Sequence, residues 1–164
     1  MSTHSPFQNH TEGILLPKDA FVVIIRTEWN ASIVDELERG CLTLLDKFNV
    51  SYDIINVPGA FEIPFAVNHR FEARASLGKV DAFIALGCVI RGDTPHFDYV
   101  CKAATDGVLQ LNLTLPVPTI FGVLTVDIPS QAMDRLGGKH GHKGEEAAMT
   151  ALKMISWVSK SVNL

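Results

Sequence analysis

Four runs of apolar and β-branched residues, each followed by a stretch with helical periodicity, leave this chain few ways to fold. AFVVIIRT (20–27) places Val and Ile at consecutive positions, the mark of a strand covered on both faces. Over 30–48, Ile33, Val34, Leu37, Cys41, Leu44, Leu45 and Phe48 share one helical stripe. VSYDIINV (50–57) predicts a second strand, stopped by Pro58-Gly59, and 62–76 a second helix with Pro64 tolerated in its first turn. AFIALGCVI (82–90) predicts a third strand, His96 to Leu113 a third helix, and PTIFGVLTV (118–126) a fourth strand. A short helix over 130–136 and a long one over 144–161 close the chain.

Strands that alternate with helices in this way pair in parallel, because each crossover is right-handed and must lay its helix over the sheet. The expected fold class is therefore α/β, a parallel sheet between two helical layers. A chain of 164 residues fits one domain with a proper core, and 47% apolar with 20% charged residues is a globular composition. Residues 1–18 are polar and predict an N-terminal arm, loose unless a neighbour pins it, which leaves 19–164 as the single domain.

Charge and cysteine usage exclude several functions. The net charge is −4 and the 14 Lys and Arg are scattered, so there is no basic stripe for nucleic acid. No apolar stretch approaches the roughly 20 residues of a membrane helix. MSTHSPFQNHTEG lacks the basic and apolar regions of a secretory signal. Cys41, Cys88 and Cys101 are odd in number and show no C-x-x-C spacing, which suggests neither a disulfide framework nor a zinc site. A cytoplasmic location is the expectation.

Ligands of open α/β sheets bind beyond the carboxyl ends of the strands. That rule points to residues 27–30, 58–62, 91–96 and 125–127, where the unusual chemistry of this chain also lies. In RGDTPH, Thr94 is a suitable N-cap and Pro95 a suitable first helical residue, so the free N–H groups and the positive helix end form an anion site. Gly92 lets backbone approach a ligand, and Arg91 could add a cation; the plain alternative is an ordinary cap with a surface arginine. His96 at that positive end could shuttle protons or simply hold the fold by a hydrogen bond. Trp29 could stack on a flat heterocycle or lie as a lid over the core. Glu62, at a helix start, could accept hydrogen bonds from sugar-like hydroxyls or serve only the dipole. RLGGKHGHKGEE (135–146) reads as a flexible joint carrying Arg135, Lys139 and Lys143 toward an anion, or as a solvated turn; His140 and His142 are poorly spaced for metal.

Taken together, VPGAFEIP, GCVIRGDTPHFDYV, FGVLT and the GGKHGHKGEEAA region resemble the lumazine synthase family, in its order and spacing, over roughly 20–157. The resemblance implies a flavodoxin-like three-layer αβα sandwich whose four-stranded parallel sheet runs 2-1-3-4. It implies a transferase of riboflavin biosynthesis that condenses 5-amino-6-(D-ribitylamino)uracil with 3,4-dihydroxy-2-butanone 4-phosphate, with no cofactor and no metal. By that resemblance Trp29 stacks on the pyrimidine; Ala60, Phe61 and Glu62 follow the ring and ribityl chain; and Val89 and Ile90 line the same cavity. Gly92, Asp93 and Thr94 cradle the phosphate, with the Asp93 carboxylate turned away and only its N–H toward the ligand. His96 transfers protons. Phe121 and Arg135 come from an adjacent subunit, Arg135 as the counter-charge of the phosphate, and Lys143 also lines the site. The family assembles as homopentamers, in some members as icosahedral capsids, and riboflavin synthase is a candidate partner. A flavin-storing or shell-forming protein on the same scaffold is the alternative.

Overall fold

The computed structural model describes residues 11–162 of the chain. Four strands, β1 (Phe21–Thr27), β2 (Ser51–Val57), β3 (Ala82–Ile90) and β4 (Thr119–Val126), form one parallel sheet in the order β2-β1-β3-β4. The register is regular: Ile24 lies beside Ile54 on one side and Ile84 on the other, and Ile84 beside Ile120. Val22 to Ile25 are wholly buried, as their unbroken run requires, and each such side chain contributes roughly 1.5–3 kcal/mol. The edge strand β2 instead mixes exposed and half-buried residues and buries only Val57.

Helices cover both faces. α1 (Ala31–Lys47) and α6 (Lys143–Val162) close one core around Ile24, Leu45, Ile84, Met149 and Leu152. α2 (Ile63–Glu72) and α4 (His96–Thr114) close the other around Val23, Ile25, Ile63, Phe83 and Val108. The sandwich and its strand order are those expected from the sequence.

Four local expectations need correction. The helix predicted over 62–76 is three pieces: a 3-10 turn at Ala60–Glu62, then α2, then α3 (Arg74–Leu77). The break lets the buried Arg70 guanidinium donate to the carbonyls of Leu77 and Gly78, at 3.1 and 3.2 Å. Thr94 does not cap α4: Pro95 is already helical, and its carbonyl accepts from Asp98 and Tyr99. The short helix α5 (Pro129–Met133) ends before residue 136, and Arg135 lies beyond it. The stretch 135–146, read as a flexible joint, is instead an antiparallel hairpin, β5 (Leu136–Gly138) with β6 (Gly141–His142), running straight into α6. Gly137 and Gly141 take positive φ there (100° and 74°), which makes so short a turn affordable only to glycine. Of the N-terminal arm, residues 1–10 lie outside the described residues. Its remainder is held by α6, through Leu15 N–H to Ser156 Oγ (2.9 Å) and Lys160 Nζ to Gly13 O (2.6 Å).

Candidate active site

A cavity of about 450 Å³ opens over the carboxyl ends of β1, β2 and β3, lined by Trp29, Asn30, Gly59 to Glu62, Cys88 to Ile90, His96 and Val100. Three of the four segments singled out by the sequence meet there. Hydrogen bonds between strand tips hold them: Glu28 N–H to Val57 O at 2.9 Å and Trp29 N–H to Pro58 O at 3.3 Å. Trp29 itself stays 72% exposed, so it is no lid over the core. Gly59 allows the close approach around it, since a Cβ there would stand 3.2 Å from Glu62 Oε2 and 3.6 Å from Trp29 Cδ1. Carboxylate and indole therefore flank one spot.

Asn30, which the sequence reading did not single out, fixes this corner. Its backbone is left-handed (φ 58°, ψ 43°), and its side chain donates across to Cys88 O at 2.8 Å instead of capping α1. Asn tolerates that conformation better than most residues, which is the one signal its identity carries. Cys88 also faces the cavity, but burial pushes its thiol up to about 11, so it holds its proton at neutral pH and is no nucleophile.

In the turn that joins Ile90 and His96, both in the cavity lining, the main-chain N–H groups of Gly92, Asp93 and Thr94 have no partner among the described residues. They precede a helix of 19 residues, whose positive end adds to them. Nothing lies within 4 Å of where a Cβ of Gly92 would be, so the approach is open. His96 is exposed beside this turn, and its side chain makes no hydrogen bond among the described residues. The role of a fold-holding hydrogen-bonder thus finds no support. Arg91 is not a free cation, contrary to expectation: its guanidinium donates to Asp127 (2.8 Å) and Asp98 (3.2 Å) and stacks 4.1 Å over Phe97.

Phe121, Lys143 and Arg135 lie elsewhere. Phe121 and Lys143 line a second cavity of about 700 Å³, on the flank made by β4 and α6, with Trp157. Arg135 adjoins them through the hairpin, its carbonyl accepting from Lys143 N–H at 2.9 Å. All three basic side chains expected to meet an anion are engaged within the chain: Arg135 with Gln131 O, Lys139 with Asp134 and Lys143 with Glu146. His142 is buried against Gly40, far from a metal-binding posture, and no group of three or more metal-ligating side chains occurs among the described residues.

The first cavity thus offers a flat aromatic face, a carboxylate and an imidazole, with no Lys or Arg in its lining, and the free N–H groups of 92–94 lie in the chain between its Ile90 and His96. That set suits a flat, hydroxylated, nitrogen-rich ligand beside an anion. The family whose sequence model matches residues 19–159 is described as 6,7-dimethyl-8-ribityllumazine synthase. A protein of that name from Porphyromonas gingivalis is 49% identical over 146 residues, 87% of this chain and 88% of its own length. Its namesake from Bacteroides fragilis is 47% identical over 138 residues (82% and 94%), and that from Xylella fastidiosa 42% over 154 (92% and 97%). With a match that spans nearly the whole sheet and every strand tip bordering the cavity, this chain belongs to the 6,7-dimethyl-8-ribityllumazine synthase family.

Proposed function

We infer that the chain condenses 5-amino-6-(D-ribitylamino)uracil with 3,4-dihydroxy-2-butanone 4-phosphate, giving 6,7-dimethyl-8-ribityllumazine, phosphate and water, and that it does so at sites shared between neighbouring copies. The ring amine attacks the ketone and loses water to form an imine, phosphate leaves, and the second nitrogen closes the ring with loss of water. Trp29 stacks on the pyrimidine and Glu62 accepts from ribityl hydroxyls, with Ala60, Phe61, Val89 and Ile90 fixing the ring between them. Gly92, Asp93 and Thr94 receive the phosphate on their N–H groups, and Asp93, exposed and without an ion-pair partner among the described residues, keeps its carboxylate in solvent. His96, free of protein partners, moves the protons of imine formation and elimination. Most of the acceleration comes from holding two reactants in attack geometry, a contribution of roughly 7–11 kcal/mol at its upper end.

One observation carries the shared site: the cavity that holds the aromatic, carboxylate and imidazole groups has no cation, while Arg135, Lys143 and Phe121 sit on the β4–α6 flank. A dianionic phosphate needs a counter-charge that one copy does not supply there. A second copy, docked so that its β4–α6 flank faces the first cavity, brings Arg135 to the phosphate and the Phe121 ring, 40% exposed on a single chain, to the substrate. Head-to-tail contacts of this kind close into a ring, and a homopentamer is the ring proposed.

Complementation tests this directly. Trp29→Ala and Arg135→Ala chains, each assembled alone, should turn over poorly. Mixed assemblies should recover about one quarter of wild-type sites, because each site takes one half from each of two chains. No recovery from verified mixed assemblies rules out sharing.

A further inference from the structure

We propose that Arg91 is a positioning residue for the phosphate turn: its guanidinium straps the residues that hold the substrate's anion without touching the anion itself. This rests on the reading that Gly92, Asp93 and Thr94 receive the phosphate. Three elements meet at this side chain. Arg91 ends just past β3; Asp98 lies in the first turn of α4; Asp127 follows β4. Nε donates to Asp127 at 2.8 Å, Nη1 donates to Asp98 at 3.2 Å, and the planar group stacks 4.1 Å above the Phe97 ring. Arg91 N–H also donates to Val126 O at 2.9 Å, and Asp127 N–H is held by the Gln131 side chain at 2.8 Å. The backbone entering the turn is therefore anchored to β4, and the backbone leaving it is tied to Arg91 through Asp98.

The turn has no such support of its own. The N–H groups of Gly92, Asp93 and Thr94 lack partners among the described residues, and the side chains of Asp93 and Thr94 make no hydrogen bond there. The Arg91–Asp98 pair spans the turn from end to end and closes it as a loop. Donors aimed at an anion are useful only if they already point the same way when it arrives, since ordering them on binding costs affinity. The guanidinium also sets two carboxylates, Asp98 and Asp127, against a fixed positive charge beside a site meant for a dianion. Only a planar fork reaches two acceptors while stacking on a ring; a lysine ammonium does not.

The experiment compares apparent KM for the two substrates in wild-type, Arg91→Ala, Arg91→Lys and Asp127→Asn enzymes, with inorganic phosphate as a competitive probe. In Arg91→Ala, KM for the ketone phosphate should rise about tenfold while KM for the aminouracil changes less than about twofold. Arg91→Lys should rescue only part of this loss. Asp127→Asn separates a strap from a direct ligand. If Arg91 bound the phosphate itself, freeing it from Asp127 would tighten binding; for a strap, the same change weakens it. Tighter binding in Asp127→Asn, equal rises in both KM values, or full rescue by lysine would each overturn the proposal. Wild-type enzyme that phosphate fails to inhibit competitively against the ketone phosphate would remove the anion-site reading itself. Competition that is present in wild type and undiminished in Arg91→Ala would remove only the strap.

Discussion

The tips of β1, β2 and β3 and the β4–α6 flank, proposed above as the two halves of one site, are held by different forces. At the tips, short loops are fastened by hydrogen bonds from one loop to the next strand: Trp29 to Pro58, Asn30 to Cys88, Arg91 to Val126. Those bonds leave side chains exposed and the cavity open. On the flank, the hairpin and the start of α6 are wedged against α1. A Cβ on Gly144 would fall 1.9 Å from Leu37 O, and one on Gly40 would fall 2.1 Å from the His142 ring. Hydrogen-bonded loops tolerate a change of side chain at the cost of binding; a steric wedge tolerates none without moving a helix. Substitutions at the tips should therefore act on kinetics, and those under the flank on folding.

The largest effect should come from Gly144→Val, which forces α1 and α6 apart and should destabilise the fold by about 3 kcal/mol or more in denaturant titration. A stable variant with normal activity would erase the proposed contrast. His96→Ala should keep its stability and lower kcat by about 10²-fold or less, since much of the rate comes from orientation. Trp29→Ala should raise KM for the aminouracil by about 30-fold with little change in melting temperature, as expected of a stacking platform. Phe121→Ala, which removes the proposed partner-side contact, should raise it about fivefold.

The smallest effect sharpens the picture of the flank. The Arg39 guanidinium chiefly, helped by His142 at 3.6 Å, holds the Glu36 carboxyl down from 4.5 to about 2. A carboxyl lower in the folded than in the unfolded state stabilises the protein above pH 4.5, and the gain fades as pH falls from there toward about 2. Glu36→Gln should flatten that acid loss by less than about 1 kcal/mol, because the pair is solvent-screened. Melting temperatures of the two proteins that fall in parallel between neutral and acid pH would show that Glu36 does not carry it.

Much of the fold was legible from the chain. Val22 to Ile25 and Ala82 to Cys88 are apolar at every position, so they had to be central strands, and helical stripes between them forced parallel pairing. Pro58-Gly59 and Thr94-Pro95 marked the loops at the strand ends. The hairpin at 136–142 was not legible, because glycine-rich sequence signals freedom unless something pins it; here the buried His142 and the wedge of Gly40 do so, both through contacts distant in sequence. The break after Glu72 likewise depends on where Arg70 finds carbonyl partners.

The same division holds at the site. Sequence alone determined which residue types are present at the strand ends and that they suit an anion and a flat ring, because turn chemistry and helix starts are local. Only the tertiary structure decided that Arg91 is consumed by Asp98 and Asp127, that Asn30 ties two strand tips together, and that Phe121, Lys143 and Arg135 stand apart from Trp29, Glu62 and His96. The physical reason is that a charge or a ring acquires its role from neighbours brought by folding, and several of those neighbours, such as Asp127 for Arg91 and Cys88 for Asn30, lie tens of residues away along the chain.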